Sequence, residues 1–251
     1  MDFLETQLNG NLLVDLTKTL DKSFHDIKDD IKDDIKDDIK DDIKDNRLKE
    51  AFKLRCPSCG LIVVDNFYNN AQSTRDYILT QEFPVKGNFP GQRTISYANQ
   101  HLQDIIQRYV APFGGKIIDF PMPSSNDKVI YNGSFQYTTS SELSWIHTDS
   151  WNNWAGVLYL TPDAPLSAGT AFYRFKNGEY SEEDAKILNT SVQTDKFSQD
   201  FSQWELVDSV GNVFNRLILF NSKRFHISMD YFGDTKENSR MFQVFFFRTE
   251  L

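Results

Sequence analysis

Cysteine occurs only twice in this 251-residue chain, at positions 56 and 59, so no disulfide framework is available and a reducing compartment is the expected setting. No run approaches the roughly 18 apolar residues that span a bilayer. The first twenty residues lack a basic stretch followed by an apolar one. Neither a membrane anchor nor a secretion signal is expected, and the cytoplasm is the predicted location. Lys and Arg total 27 against 36 Asp and Glu, a net charge of −9, so the clustered cations that phosphate backbones require are missing and nucleic acid is not an expected partner. Histidine is limited to four residues, which leaves few places for imidazole chemistry.

Apolar residues are plentiful: 39% of the chain is hydrophobic and 14% aromatic, enough for a sizeable core. The acidity is concentrated. Residues 26–45 repeat DIKD five times, holding ten Asp and five Lys and so −5 of the −9 charge. A four-residue step turns an α-helix by about 400°, so the Ile stripe of this repeat drifts by about 40° each time and makes a poor seam. Residues 1–54 are therefore expected to form an acidic low-complexity extension, helical or disordered, with a partner-binding helix as the alternative. The motif Cys56-Pro57-Ser58-Cys59-Gly60 resembles half of a zinc ribbon, but no second Cys pair completes a tetrahedral site. A turn before the first strand is the simpler expectation, and a zinc shared between two chains the other.

From residue 55 onwards the pattern is that of a folded domain. LIVVDNFY reads as a strand, and Asn69 or Asn70 can cap a following helix, AQSTRDYILTQEF. PVKGNFPGQRT reads as a loop and SYANQHLQDIIQRYV as a second helix carrying His101. After Gly114-Gly115 the runs KIIDFPM, SFQYTT, SWIHTD, AGVLYLTP, GTAFYRF, NRLILFN, FHISMDYF and RMFQVFFFRT are rich in Val, Ile, Phe, Tyr and Thr. Helices followed by about eight strands predict an α+β domain whose sheets form a sandwich or barrel of the jelly-roll or cupin-like kind.

Within those strands, His147 and Asp149 stand two apart, so in a strand both side chains point to one face. His226 begins a later strand. Two imidazoles and one carboxylate can cap one face of an octahedral ion and leave three positions open, the facial triad of non-haem Fe(II) oxygenases. The bound ion would keep a net charge near +1 and attract an anionic chelating co-substrate, whose far carboxylate needs a buried cation. Arg240, leading into the apolar strand RMFQVFFF, offers a bidentate fork for it. Fourteen residues separate His226 from Arg240, so the segment DYFGDTKENS is expected to form a hairpin extension; Arg248 and Lys236 are the other cations in reach. Trp145, Trp151 and Trp154 crowd the His-x-Asp segment as core or pocket wall. Asn221, Ser222, Lys223 and Arg224 read as the turn before His226.

Over residues 61–251 this order resembles the Fe(II)/2-oxoglutarate-dependent dioxygenases, within them the prolyl-4-hydroxylase-like branch. The carriers are VVDNFY with its helix, FQYTTSSELSWIHTD, GVLYLTPDAPLSAGTAFYRF with Gly169, Thr170 and Phe172, and NRLILFNSKRFHIS with RMFQVFFF. The resemblance implies a double-stranded β-helix barrel with N-terminal supporting helices, occupying residues 55–251. It implies Fe(II) on His147, Asp149 and His226, and 2-oxoglutarate on Arg240 with Tyr137 contacting it. Ascorbate is a further reductant, and oxidative decarboxylation is coupled to hydroxylation of a peptidyl residue or a small metabolite. Two alternatives remain at this stage: a non-catalytic barrel serving as a binding module, and a cupin-type metalloenzyme that does not use 2-oxoglutarate. The insertion NGEYSEEDAKILNTSVQTDKFSQDFSQ, with PVKGNFPGQRT, is the expected wall of the substrate site.

Overall fold

In the computed structural model, residues 59–124, 129–149, 152–176 and 198–250 are described. The acidic repeat, Cys56, Trp151 and residues 177–197 of the insertion lie outside them. Among the described residues, ten strands make two sheets. The larger, seven-stranded sheet runs β1 (Leu61–Val64), β8 (Leu217–Asn221), β5 (Trp154–Tyr159), β10 (Arg240–Glu250), β4 (Ser134–Thr138) and β2 (Gln92–Ser96), with β3 (Lys116–Asp119) paired to the far end of β10. The smaller sheet runs β7 (Trp204–Val210), β6 (Thr170–Phe175) and β9 (Phe225–Ser228). From β4 onwards the chain crosses repeatedly between the sheets, β4 and β5 lying in the large one, β6 and β7 in the small one, then β8 in the large, β9 in the small and β10 in the large; this is the two-sheet winding of a jelly-roll-like fold, and every pairing is antiparallel.

Two helices cover the outer face of the large sheet. Asn70 caps α1 (Ala71–Leu79), its side chain accepting from the Ser73 N–H at 3.1 Å. The helix stops short of the predicted Phe83, because Thr80 N and Gln81 N turn back to Tyr77 O and Ile78 O and Pro84 follows closely. Asn99 caps α2 (Gln100–Gly114) through Leu102 N at 3.0 Å, so Ser96, placed in this helix on sequence grounds, belongs instead to β2.

Strand alternation sorts the core. Leu158, Leu217, Leu219, Met241, Phe245 and Phe247 face the helices and meet Ile78, Leu102, Ile106 and Val110. Ala155, Tyr159, Ile218 and Phe220 face inward and meet Phe172 of the small sheet. β10 reads as a continuous apolar run because it is central and both its faces are covered. Two strands escape the sequence pattern. β7 is an edge strand exposed at its five middle positions, and β2 is polar, so neither shows apolar alternation. The segment DYFGDTKENS forms no hairpin: it is a compact loop in which Asn238 Oδ1 accepts from Asp234 N and Thr235 N, each at 2.9 Å.

Candidate metal centre

The His-x-Asp segment is less regular than a strand. His147 makes a single antiparallel bridge with His226, donating to its carbonyl at 3.0 Å and accepting from its amide at 2.9 Å. Asp149 N then turns to Ser222 O at 2.9 Å, and no ladder continues. That pairing still brings His147, Asp149 and His226 together, with their candidate ligand atoms within 4.8 Å of one another. The turn from Asn221 to Arg224 delivers His226: Arg224 N donates to Asn221 O at 3.0 Å, and the guanidinium of Arg224 pairs with Asp208 and lies 4.4 Å from the Phe172 ring centroid.

Both imidazoles are anchored in the same way. His147 Nδ1 lies 2.9 Å from Trp145 O, and His226 Nδ1 lies 2.9 Å from Arg224 O. A carbonyl can only accept, so Nδ1 carries the proton in each ring and Nε2 presents a lone pair, the arrangement a metal-binding histidine needs. His226 Nε2 stands 3.3 Å from Asp149 Oδ2. One divalent ion could be shared between that lone pair and the carboxylate oxygen. Burial, and then the neighbouring His226, pull His147 down to about 4, so it is neutral at physiological pH and ready to ligate. Burial alone would raise Asp149, but the His226 hydrogen bond and the charges of His226, His147 and Arg93 outweigh it and hold the carboxyl below its usual range. The donor set therefore fits a divalent ion of the Fe(II) type.

These three side chains line a cavity of about 790 Å³ between the sheets. His147 and Asp149 lie deep in the molecule yet keep part of their surface open towards it.

Arg240 is fully buried at the start of β10, on the same face as the cavity-lining Phe242, Val244 and Phe246. Nε donates to Ala168 O at 2.9 Å and Nη2 to Gly169 O at 3.3 Å, while Nη1 has no partner among the described residues. Thr138, its neighbour in register, also has an unpartnered buried hydroxyl. The rings of Phe242, Tyr159 and Tyr231 surround the guanidinium at 4.4, 5.5 and 6.0 Å. Burial pulls Arg240 downward, opposed by those tyrosines and by no carboxylate among the described residues. A buried cation with an idle donor, paired in register with a residue whose hydroxyl is also idle, has the chemistry to accept a carboxylate. Gly169 serves it through its backbone: an added Cβ would lie 1.9 Å from Val210 O, so only glycine can bring that carbonyl so close.

The other sequence candidates lie elsewhere. Tyr137 is on the opposite face of β4, its ring 5.0 Å from that of Phe83 in the helix-side core. The residue that reaches the cavity from β4 is Gln136. A one-residue shift along a strand changes faces, and the alternation Ser-Phe-Gln-Tyr-Thr already carried that signal. Arg248 pairs with Asp119 at 3.0 Å, half exposed, and Lys236 Nζ donates to Leu79 O at 2.5 Å, so neither is a cation of the site. Trp145 lines the cavity, whereas Trp154 lies in the helix-side core with Nε1 donating to Thr249 Oγ1 at 3.0 Å. His101 is exposed on α2. Arg93, Tyr231 and Thr138 belong to the site's surroundings and were not singled out by their sequence context, whereas Thr170, marked in the GTAFYRF segment, lines the cavity and accepts from Tyr159 Oη at 2.8 Å.

A family model described as "Family of unknown function (DUF6445)" matches residues 53–230. No curated protein matches the chain. Among solved structures, the chain is similar to HygX from Streptomyces hygroscopicus with nickel and 2-oxoglutarate bound, at 13% identity over 78% of this chain and 85% of that one, with a TM-score of 0.48. It is also similar to a prolyl hydroxylase from Trichoplax adhaerens in complex with a hypoxia inducible factor peptide fragment, at 12% identity over 81% and 93%, with a TM-score of 0.42. A third similar structure is SnoK, a non-heme alpha ketoglutarate dependent carbocyclase from nogalamycin biosynthesis, at 13% identity over 78% and 81%, with a TM-score of 0.47. These likenesses are distant; the atoms of the site itself bear on its chemistry.

Proposed function

The chain belongs to the DUF6445 family, and on the geometry of its site we propose that it is an Fe(II)- and 2-oxoglutarate-dependent oxygenase built on a double-stranded β-helix. One observation carries this reading: a His-Asp-His face shares a sandwich with a fully buried arginine that has no carboxylate partner among the described residues. His147, Asp149 and His226 would hold the iron through two Nε2 atoms and a carboxylate oxygen. Arg240 would take the distal carboxylate of 2-oxoglutarate, with Thr138 beside it. When bound, iron, 2-oxoglutarate and O₂ supply the oxidant that converts a substrate C–H to C–OH, with succinate and CO₂ as co-products, and ascorbate keeps the iron ferrous.

The protein's own part is positional. The carbonyl-anchored imidazoles keep both Nε2 lone pairs aimed at one point. Phe220, Phe246 and Trp145 line the cavity and limit water. In this reading residues 55–251 are the catalytic unit, residues 1–54 an extension, and the substrate a peptidyl residue or a small metabolite. A cytoplasmic setting is part of this reading. Among the described residues, no helix is long and apolar enough to cross a membrane.

The test is anaerobic addition of Fe(II) and 2-oxoglutarate to the purified chain. The expected result is a weak metal-to-ligand absorption band in the visible region, followed by succinate on admission of air. A wild-type protein without the band, or a His147→Ala variant that keeps it undiminished, overturns the proposal.

A further inference from the structure

A second buried cation, Arg93, lines the cavity that holds the metal face. Arg93 on β2 is only 6% exposed, and its guanidinium carbon lies 3.7 Å from the Phe89 ring centroid and 5.0 Å from that of Tyr131. All three residues line the cavity that holds the triad. Nε and Nη2 both donate to Gln136 Oε1, at 2.8 and 2.5 Å, and Gln136 is itself held by donating to Pro90 O at 2.6 Å. A guanidinium carries five N–H donors in one plane. One edge is thus engaged, and the Nη1–Nη2 end remains as a fork of parallel donors.

No carboxylate among the described residues forms an ion pair with Arg93. Its strongest charged influence is Asp149, the carboxylate that a metal would engage. Burial lowers the guanidinium to about 10, which leaves it charged at neutral pH. A desolvated charge with an idle fork calls for an anion, and the flat edge of a carboxylate matches that fork.

We propose that Arg93 binds a free carboxylate of the primary substrate, so that the substrate of this site is a carboxylic acid. The assignment rests on the oxygenase reading for what happens to the substrate, and on Arg93 and its aromatic walls for where the charge sits.

Thermal denaturation of the full chain loaded with Mn(II) and saturated with N-oxalylglycine, which occupies Arg240 in the oxygenase reading, tests this. The added probes are small carboxylic acids and their matched primary amides. Acids are expected to raise the melting midpoint and amides to leave it unchanged. Arg93→Gln is expected to weaken acid binding roughly tenfold to a hundredfold, the worth of a charge-assisted hydrogen bond, with Arg93→Lys intermediate. Amides that stabilise as well as acids overturn the proposal, as does an acid response that survives Arg93→Gln. Phosphate monoesters acting in place of carboxylates also overturn it, and so does loss of the N-oxalylglycine shift in Arg93→Gln, which would make Arg93 the co-substrate cation. If Arg93→Gln does not fold, the acid–amide contrast in the wild type decides. A wild type that shows no shift with Mn(II) and N-oxalylglycine removes the oxygenase reading, while the acid–amide contrast run without them still judges Arg93.

Discussion

The two faces of the large sheet are both buried, but they are made of different material. Towards the helices, Leu158, Leu217, Leu219, Met241, Phe245 and Phe247 pack against apolar helix residues. Towards the small sheet, β4 presents Gln136 and Thr138, and β10 presents Arg240 among Phe242 and Val244. The outer face satisfies its few polar groups internally: Gln243 accepts from Tyr68 Oη at 2.6 Å and donates to Gly133 O at 2.9 Å, and Arg75 of α1 donates to Leu160 O at 2.9 Å. The inner face leaves Thr138 Oγ1 and Arg240 Nη1 without partners, a state that costs stability unless a ligand supplies the acceptor. The outer face thus serves folding, and the inner face holds groups whose satisfaction waits for binding.

The sharpest way to separate the faces is through the metal. Fe(II) or Mn(II) at a thousandfold above its Kd should stabilise the wild type by about 4 kcal/mol. His147→Ala should abolish that gain, and chelation should then change nothing; thermal melts with and without chelator read both. A wild type indifferent to metal would end the comparison. On the outer face, Phe245→Ala should lower stability by about 3–5 kcal/mol in urea titrations through the cavity it leaves, while metal affinity in the folded protein stays as it was. Arg240→Gln should do the reverse. Binding of 2-oxoglutarate, followed by calorimetry on the metal-loaded chain, should weaken roughly tenfold to a hundredfold. Stability should hold or rise, because a buried unpaired charge is gone; a large loss of stability with intact co-substrate binding would make Arg240 a structural residue. The smallest effect belongs to the helix layer: Asn70→Ala removes the cap of α1 and should cost about 1 kcal/mol in the urea midpoint, with no change in metal binding.

The outer face was the legible one. Helices in AQSTRDYIL and QHLQDIIQRYV, the cap at Asn70 and the apolar run of β10 all follow from periodicity and local hydrogen bonding, which short sequence windows contain. β2 and β7 were illegible because a polar cavity strand and an exposed edge strand have no apolar alternation to show. At the site, His147, Asp149, His226 and Arg240 could be named from their spacing and strand context. Tyr137 followed only from the resemblance, and the alternation of β4 places it on the helix side, leaving Gln136 to reach the cavity. Arg93 gave no signal, since an arginine after a Pro-Gly loop reads as surface until the fold encloses it.

By itself the sequence determined the kind of elements, their approximate limits and the residue types available as ligands, because these depend on near neighbours and on the repeat of helix or strand. Only the tertiary structure decided that His147 meets His226 through one bridge, that both Nδ1 atoms are tied to carbonyls, and that Arg240 and Arg93 are buried with no ion-pair partner among the described residues. Those properties depend on pairings between segments far apart in the chain, and on the exclusion of water that only the closed sandwich provides.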